Sequence, residues 1–589
     1  MNRRLVLAAV VCSSVASAQA PGRADEQDSV HTVLDWVRKN AIPFDVRPTV
    51  TSSTVALRPL GDLVGNAHLV GLGEGTHGTR EFYIIKSRLI RYFIEAKGFR
   101  TIAFEGNYDA VQSLDDYVLL GKGTPEGALA ALNGFNWETD ELVALLRWIR
   151  AYNLESRHQQ KIRFVGVDVL NFYPSLAAAL KYVSVSDSAA AARLARPFVN
   201  LLHLDVSGSR ARQGRFDDLG PNLSVDDVEL LVAATDQVRD YLDRHRPTAS
   251  GTVQWTVARQ HAAVALQRAR VVRTVRGWYT SSGPAINALY GRASQDVASL
   301  QEFLEIVNPA FADTVRPFLT DLSRPSGART QYVRSMSPEQ RGRYEALASQ
   351  LIAQVDVQRA TNPSALTGAK WDSLADQARS MRSLVHDFRE YLSRATVSTN
   401  EPRDPSLAEN VMWALREAGP DAKVIVWAHN IHIQASPYAP GSETMGSSLR
   451  KSLGKDYVTI GTVFNRGGFQ ARILPVPADT VTLIKSFNVA PASAGSVEAV
   501  LAQARIPAFA IDLRSVPPGG LVEAWFTSSR PMRNIGNGYN EAKGQDFYHS
   551  ARAKVDFDVL IFLDSTSRAQ SLTTARQKYR IGNDVERIP

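Results

Sequence analysis

Short apolar runs alternate with helical patterns near the beginning of the chain and again near its end. The first run, Leu69–Leu72, has the length of a buried strand, and a glycine-rich turn follows it before a helical pattern begins at Phe82. Three further runs share its form, because each is short, mostly apolar and bounded by an ionisable residue. They are Thr101–Phe104, which ends at Glu105, Ile162–Val167, which ends at Asp168, and Lys423–Ala428, which ends at His429. Near-continuous apolar strands alternating with helices are typical of a parallel sheet covered on both faces.

Three more strands are expected in the last third of the chain, at Tyr457–Phe464, Ala508–Leu513 and Val559–Leu563. The stretch from Leu474 to Ser496 is predicted to be a loop with one embedded strand-like piece. We therefore predict an α/β fold with a mainly parallel central sheet flanked by helices.

The middle of the chain, residues 176–398, has a different pattern. It is rich in Ala, Leu, Arg and Gln at helical spacing, as in the runs Trp255–Val275 and Leu374–Leu392. We predict a large helical insertion, or cap, between an N-terminal part of the core (24–175) and a C-terminal part (399–589). We interpret the histidines of this region as helix-surface or packing residues; they are His203, His245, His261 and His386.

Composition places the chain among ordinary soluble globular proteins. It has 589 residues, of which 44% are hydrophobic and 21% charged, and a formal charge of +8. That charge is mild for this length, and no dense Lys/Arg block is interleaved with aromatics, so nucleic acid is not an expected partner. Beyond the N-terminus, no stretch is apolar for long enough to predict a membrane span.

The first 18 residues have the pattern of a secretory signal peptide. Arg3 and Arg4 precede the apolar run Leu5–Cys12, and a small-residue cleavage site ends at Ala18. Cys12 is the single cysteine of the chain, and its surroundings do not match a lipoprotein box. Cleavage would leave a mature protein without disulfides, thiolate ligands or a cysteine nucleophile. We expect the protein in the periplasm or outside the cell.

The ionisable residues at the strand ends form a candidate reaction site. Because ligands of open α/β sheets bind beyond the carboxyl ends of the strands, these side chains are expected to lie together. The set comprises Glu74, His77, Glu105, Asp168, His429 and His432. Such a set supports metal-free hydrolysis, with a histidine as general base for a water molecule. It also supports a metal site with histidine and carboxylate ligands, and the spacing alone does not decide between them.

Two other chemistries have weaker support. The nucleophile-elbow pattern G-x-S-x-G is absent, and Ser448–Lys451 matches S-x-x-K without the companion motifs of a serine enzyme. Gly73–Gly78 matches the dinucleotide pattern G-x-G-x-x-G after a strand and before a helix. However, Glu74 within it would place a negative charge beside a pyrophosphate.

A series of motifs between about Trp36 and Arg466 resembles the erythromycin esterase family in order and spacing. The motifs are Gly73–His77 with Arg80–Phe82, Ala103–Glu105, Gly166–Asp168, Leu407–Asn410 with Trp413, Trp427–Asn430 with His432, and Met445–Gly446 leading to Gly461. The resemblance implies a carboxylic ester hydrolase, with a macrolide lactone as one type of substrate, that adds water without a covalent enzyme intermediate.

The resemblance also implies roles for individual residues. His77 would be the general base, and Glu74 and Glu105 would hold it and the water. His429 and His432 would stabilise the oxyanion or complete the site.

Three residues are predicted to contact the substrate: Lys86, Asp168 and Asn430. Lys86 stands where relatives often have an arginine, which weakens any bidentate contact with a carboxylate. The expected partner is a small-molecule ester, and no cofactor is implied. A divalent metal and the oligomeric state stay open. The alternatives are a metal-dependent hydrolase that uses the same cluster and a non-catalytic binding protein of the cell envelope.

The N-terminal pattern predicts export with cleavage after Ala18. Mass spectrometry of the protein from separated cell fractions should find a chain that begins at Gln19 outside the cytoplasm. Full-length chain found only in the cytoplasm would contradict this prediction.

Overall fold

A computed structural model describes most of the chain. The described residues are 23–47, 49–202, 225–247, 251–279, 300–305, 308–322, 338–366, 370–371, 374, 403–438, 442–474 and 484–578. The predicted signal peptide, His203, His386 and most of the run Leu374–Leu392 lie outside these residues. No helix within them is both long and apolar enough to cross a membrane.

A large sheet forms the centre of the fold, as predicted. The strands of the protein are β1 Ile42–Pro43, β2 Leu69–Leu72, β3 Thr101–Asn107, β4 Arg163–Asp168, β5 Val424–Trp427, β6 Tyr457–Ile473, β7 Ile484–Val489, β8 Ala508–Asp512, β9 Arg530–Arg533, β10 Gly538–Tyr539, β11 Tyr548–Ala551 and β12 Val559–Thr566. The strand order in the large sheet is β1-β8-β12-β6-β2-β5-β3-β4, and all neighbours from β12 to β4 run parallel. β8 and β1 add antiparallel pairs at one edge, and β7 and β10 pair with the far half of β6. β9 and β11 form a separate antiparallel pair. The mainly parallel α/β fold is therefore confirmed.

Each strand expected from an apolar run is present, but β6 is much longer than the run that predicts it. The apolar run ends at Phe464, whereas the strand continues to Ile473. Its second half contains Gly467, whose φ of +116° is accessible to glycine. A side chain there would collide with the backbone of Thr566 in β12. The polar, glycine-bearing sequence that resembles a turn is thus a continuation of the strand beside β12 and β7.

Helices cover both faces of the sheet. They are Arg23–Asn40, Arg58–Gly61, Arg80–Lys97, Tyr108–Leu120, Pro125–Ala130, Asp140–Leu154, Tyr173–Ser186, Ser188–Leu202, Val225–Arg244, Thr252–Tyr279, Pro309–Leu322, Pro338–Thr361, Asp404–Ala418, Asn430–Ile433, Met445–Leu453, Val497–Ala502, Leu521–Thr527, Ala553–Asp556 and Thr573–Lys578, with residues 300–305 also helical.

The sheet has an apolar core on each face, and alternate side chains of β5 point into one or the other. Ile425 and Trp427 point into the core that contains the helix Arg80–Lys97. Val424 and Val426 point into the core that contains the helix Asp404–Ala418. Because successive side chains of a strand face opposite sides, a continuous apolar strand must be covered on both.

The described part of the predicted insertion is helical. Its first four helices share an apolar core that includes Phe198, Leu231 and Trp255. Its long helix Thr252–Tyr279 also joins the helix Asp404–Ala418, where the Gln260 amide donates to Asn410 Oδ1 over 2.9 Å. The boundaries 176–398 stay a prediction.

The side chain of Asn430 joins the turn after β5 to β6. Its Nδ2 donates to the carbonyl oxygen of Thr462 over 2.7 Å, and its Oδ1 accepts from the Thr462 amide over 3.1 Å. The Thr462 hydroxyl in turn donates to the carbonyl oxygen of Gly73 over 3.1 Å. All these groups are buried, so this amide fixes the turns after β2 and β5 relative to β6.

Asn430→Ala should lower the free energy of unfolding by about 2 kcal/mol, because it leaves a buried N–H and a buried C=O of Thr462 without partners. Urea unfolding measures the change. Asn66→Ala, at an exposed asparagine just before β2, is the control and should change stability by less than about 0.5 kcal/mol. Equal midpoints for the two variants would refute the structural role of Asn430.

Candidate functional site

The polar residues that follow the apolar strands meet at one edge of the sheet. β2, β5, β3 and β4 lie side by side in that order, so their carboxyl ends adjoin. The side chains brought together are Glu74, His77, His429, His432, Glu105 and Asp168, and all of them are buried. The rings of His77 and His429 are 4.9 Å apart between centroids.

The glycine turn after β2 is required by close packing. A side chain at Gly73 would collide with the Asn430 amide, and one at Gly78 would collide with the carbonyl oxygen of Gln470. The turn is also tied to a distant segment, since the Ile535 amide donates to the carbonyl oxygen of Gly75 over 3.0 Å. These contacts hold Glu74 and His77 against the sheet edge.

Glu74 links a lysine to a histidine. Its Oε1 lies 2.8 Å from Nδ1 of His77, and its Oε2 accepts from Nζ of Lys86 over 2.7 Å. The Lys86 ammonium also donates to the carbonyl oxygen of Ala428 over 3.2 Å and lies 4.3 Å from the centre of the Trp427 ring. Burial lowers the pKa of Lys86, and the adjacent carboxylate of Glu74 opposes that shift. Lys86 therefore holds Glu74, and Glu74 orients His77.

The second ring nitrogen of His77 has a different situation. Among the described residues, no group pairs with its Nε2, and the side chain is 7% exposed. The Trp137 ring packs against it in a T-shaped arrangement with 5.8 Å between the ring centroids. The Tyr83 hydroxyl contacts the carbonyl oxygens of His77 and Asn136, so the backbone on both sides of the ring is fixed. His77 can thus present Nε2 to a ligand while Nδ1 stays against Glu74.

His429 has partners for both ring nitrogens. Its Nδ1 accepts from the Ile431 amide over 3.3 Å, and its Nε2 lies 3.3 Å from the carbonyl oxygen of Ile535. Burial lowers the pKa of His429 well below its usual range, and the nearby rings of His77 and His432 add to that shift. This pattern corresponds to a neutral ring that carries its proton on Nε2.

His432 lies between two carboxylates. Its Nδ1 is 2.7 Å from Asp404 Oδ1, and its Nε2 is 3.3 Å from Glu105 Oε1. Burial alone would lower the pKa of His432, but the charges of Asp404 and Glu105 raise it to about 10.

Glu105 is held from three directions. Its Oε2 accepts from the His429 amide over 2.7 Å, and its Oε1 faces both His432 and Arg403 at 3.3 Å. Burial opposes ionisation, but the positive charges of His432 and Arg403, and that of His77 when it is protonated, hold the pKa of Glu105 well below its usual range.

All three of the predicted substrate contacts already have protein partners. Both oxygens of Asp168 accept from the guanidinium of Arg403, over 2.7 Å each, and the Asn430 amide is paired with Thr462. The third, Lys86, is 1% exposed beneath Glu74. Whether any of them contacts a substrate stays a prediction.

The sequence interpretation missed Arg403, Asp404 and Trp137. A charged pair followed by Pro405 at a helix start is an ordinary capping pattern, and the quoted motif Leu407–Asn410 begins only three residues later. Trp137 lies in an irregular segment without periodicity. None of the three positions carries a local sequence signal for a site.

The model of the erythromycin esterase family matches residues 94–294 and 287–566. These stretches contain Glu105, Asp168, Arg403, Asp404, His429 and His432. Glu74, His77 and Lys86 lie just before them.

Curated relatives match over shorter stretches. Erythromycin esterase type II of Escherichia coli is 32% identical over 135 residues, which are 23% of this chain and 31% of the relative. Erythromycin esterase type I of Escherichia coli is 29% identical over 154 residues, or 25% and 35% of the two chains. The matches thus span about a third of each relative's length.

A Bacillus cereus protein of known crystal structure has the same fold. It is 20% identical, with a TM-score of 0.60 over 92% of this chain and 99% of the other. Since the family model matches most of the length between residues 94 and 566, the chain belongs to the erythromycin esterase family.

Proposed function

We propose that this protein is an exported hydrolase that cleaves a carboxylic ester with a water molecule activated by His77. Membership of the erythromycin esterase family supports hydrolysis as the class of reaction. The observation that carries the finer proposal is the chain Lys86–Glu74–His77, in which one ring nitrogen is held and the other is unpaired among the described residues.

The proposed first step is attack by water on the ester carbonyl. Nε2 of His77 takes one proton from the water as its oxygen bonds to the carbonyl carbon, and the carbonyl oxygen takes the negative charge. Imidazole suits this role because it accepts and returns a proton near neutral pH. Glu74 fixes the ring through Nδ1–H and stabilises the positive charge that forms on it.

The second step breaks the bond between the carbonyl carbon and the alcohol oxygen. The tetrahedral intermediate collapses, and the His77 imidazolium returns its proton to the departing oxygen. The products are a carboxylic acid and an alcohol, and His77 is ready for another water. A lactone gives both groups on one opened chain. Erythromycin is a reasonable first substrate, because two relatives carry the name of erythromycin esterase.

Two alternative mechanisms, a serine nucleophile and a bound metal ion, can be compared with the positions of the residues that they would need. The Ser448 hydroxyl donates to Glu443 over 2.6 Å, and no imidazole contacts it within the described part of the chain. Within the same part, no three His, Cys, Asp or Glu side chains are grouped to hold a metal ion. A metal requirement is therefore a matter for the assay below.

His77→Asn should lower kcat by at least about 100-fold, because the amide keeps a polar group but cannot act as general base. KM and the thermal midpoint should change little. The assay follows hydrolysis of p-nitrophenyl acetate and of erythromycin by the purified protein. His245→Asn, at an exposed position just after the helix Val225–Arg244, is the matched control and should keep full activity.

The same assay separates the alternatives. Activity retained by His77→Asn but lost in Ser448→Ala would favour a serine nucleophile. Activity lost on dialysis against a chelator and restored by zinc would favour the metal-dependent hydrolase. Binding of erythromycin without turnover of either compound would favour the binding protein.

A further inference from the structure

Arg403 and Asp404 belong to the site although they do not follow one of its strands. They are neighbours at the start of the helix Asp404–Ala418, which follows the predicted insertion. Both side chains are at least nine-tenths buried, with Arg403 7% and Asp404 0% exposed. Between them they contact Asp168, Glu105 and His432. Two buried charges that reach three ionisable groups of one site are more than a helix cap requires.

The contacts of His432 determine its charge. Both of its nitrogens face carboxylate oxygens, at 2.7 Å from Asp404 and 3.3 Å from Glu105. An ionised carboxylate only accepts hydrogen bonds, and a neutral imidazole has a single N–H. Only the doubly protonated ring donates in both directions.

Further hydrogen bonds fix the orientation of the Asp404 carboxylate against His432. Its other oxygen, Oδ2, accepts from the Tyr438 hydroxyl over 2.8 Å and from the Met445 amide over 3.1 Å. The carboxylate is therefore fixed by two donors on one oxygen and by the imidazolium on the other.

Arg403 contacts the same oxygen of Glu105 as His432 does. Its guanidinium holds Asp168 through two parallel bonds of 2.7 Å, and Nη2 also lies 3.3 Å from Glu105 Oε1. A bidentate pair of this type has a defined geometry. Glu105 thus has cations on one oxygen and the His429 amide on the other, and its charge interacts with that of a protonated His77.

We propose that Arg403 and Asp404 are positioning residues for ester hydrolysis, which hold His432 as an imidazolium and, through it, keep the Glu105 carboxylate ionised and fixed. The negative charge of Glu105 then stabilises the positive charge that forms on His77 when it takes the proton of water. The kinetic half of this inference rests on the proposed function, whereas the charge of His432 does not.

The sign of the pH effect follows from these contacts. His432 is charged below its pKa of about 10, so the wild-type protein keeps the imidazolium at neutral and mildly alkaline pH. Asp404→Asn removes the nearer carboxylate, so the ring loses its proton at lower pH. The ionisable groups in contact with His432 are Asp404 and Glu105. The groups that in turn interact with these two or with His432 are Arg403, Asp168, Tyr438, His429 and His77.

The kinetic test is the pH profile of kcat for p-nitrophenyl acetate between pH 6 and pH 9. Asp404→Asn should gain an alkaline limb, in which kcat falls about tenfold per pH unit above the new pKa, while wild type lacks it. Asp116→Asn removes a carboxylate that pairs with Lys122 on the surface and should keep the wild-type profile. A wild-type profile for a folded Asp404→Asn would overturn the proposal.

A second measurement stands apart from turnover and from the folding of the variant. In wild-type protein labelled with ¹³Cε1-histidine, the His432 signal, assigned by its loss in His432→Gln, should report an imidazolium at pH 8.5. A neutral His432 at that pH would overturn the proposal even if esters are hydrolysed. If no ester is hydrolysed but His432 is charged, the proposed function fails and the electrostatic assignment stands.

Discussion

The Glu74 carboxylate is the group on which the rest of the site depends, because its two oxygens serve different partners. One oxygen faces the buried ammonium of Lys86 and the other faces Nδ1 of His77. Lys86 lies about two helical turns into the helix Arg80–Lys97, so the histidine is anchored through Glu74 to a helix of the core. Without these partners the Glu74 carboxylate would not orient the His77 ring, and its burial away from water would favour the neutral form.

The charges around Glu74 balance almost completely. Four carboxylates, on Glu74, Glu105, Asp168 and Asp404, meet three cations, on Lys86, Arg403 and His432. Transfer of charged groups from water to the protein interior costs free energy, and removal of one partner leaves the other as an uncompensated buried charge. The ionic groups therefore form a network in which each carboxylate has a buried donor. The need for such pairing also explains why Asp168, a predicted substrate contact at the sheet edge, is hydrogen-bonded to another residue of the protein.

The sequence predicts the sheet and much of the site for one physical reason. Parallel strands buried on both faces are apolar throughout, so their limits are visible, and the first ionisable residue after each lies at a common edge. This reasoning brings Glu74, Glu105, Asp168 and His429 together without any contact information. It fails for Arg403 and Asp404, which approach from a helix start more than 200 residues beyond β4 and obey no strand pattern. It also fails for the second half of β6, where pairing with β12 and β7 extends a strand through glycines.

The account's central claim is that His77 holds a proton on Nδ1 and leaves Nε2 free to accept one from water. The ¹⁵N spectrum of histidine-labelled protein at pH 8 measures this directly, with the His77 signals assigned by their loss in His77→Asn. We expect a protonated Nδ1 hydrogen-bonded to Glu74 and an unprotonated Nε2, and we expect the Nδ1 signal to shift in Glu74→Gln. A proton on Nε2 with an unprotonated Nδ1, and no response to Glu74→Gln, would contradict the account.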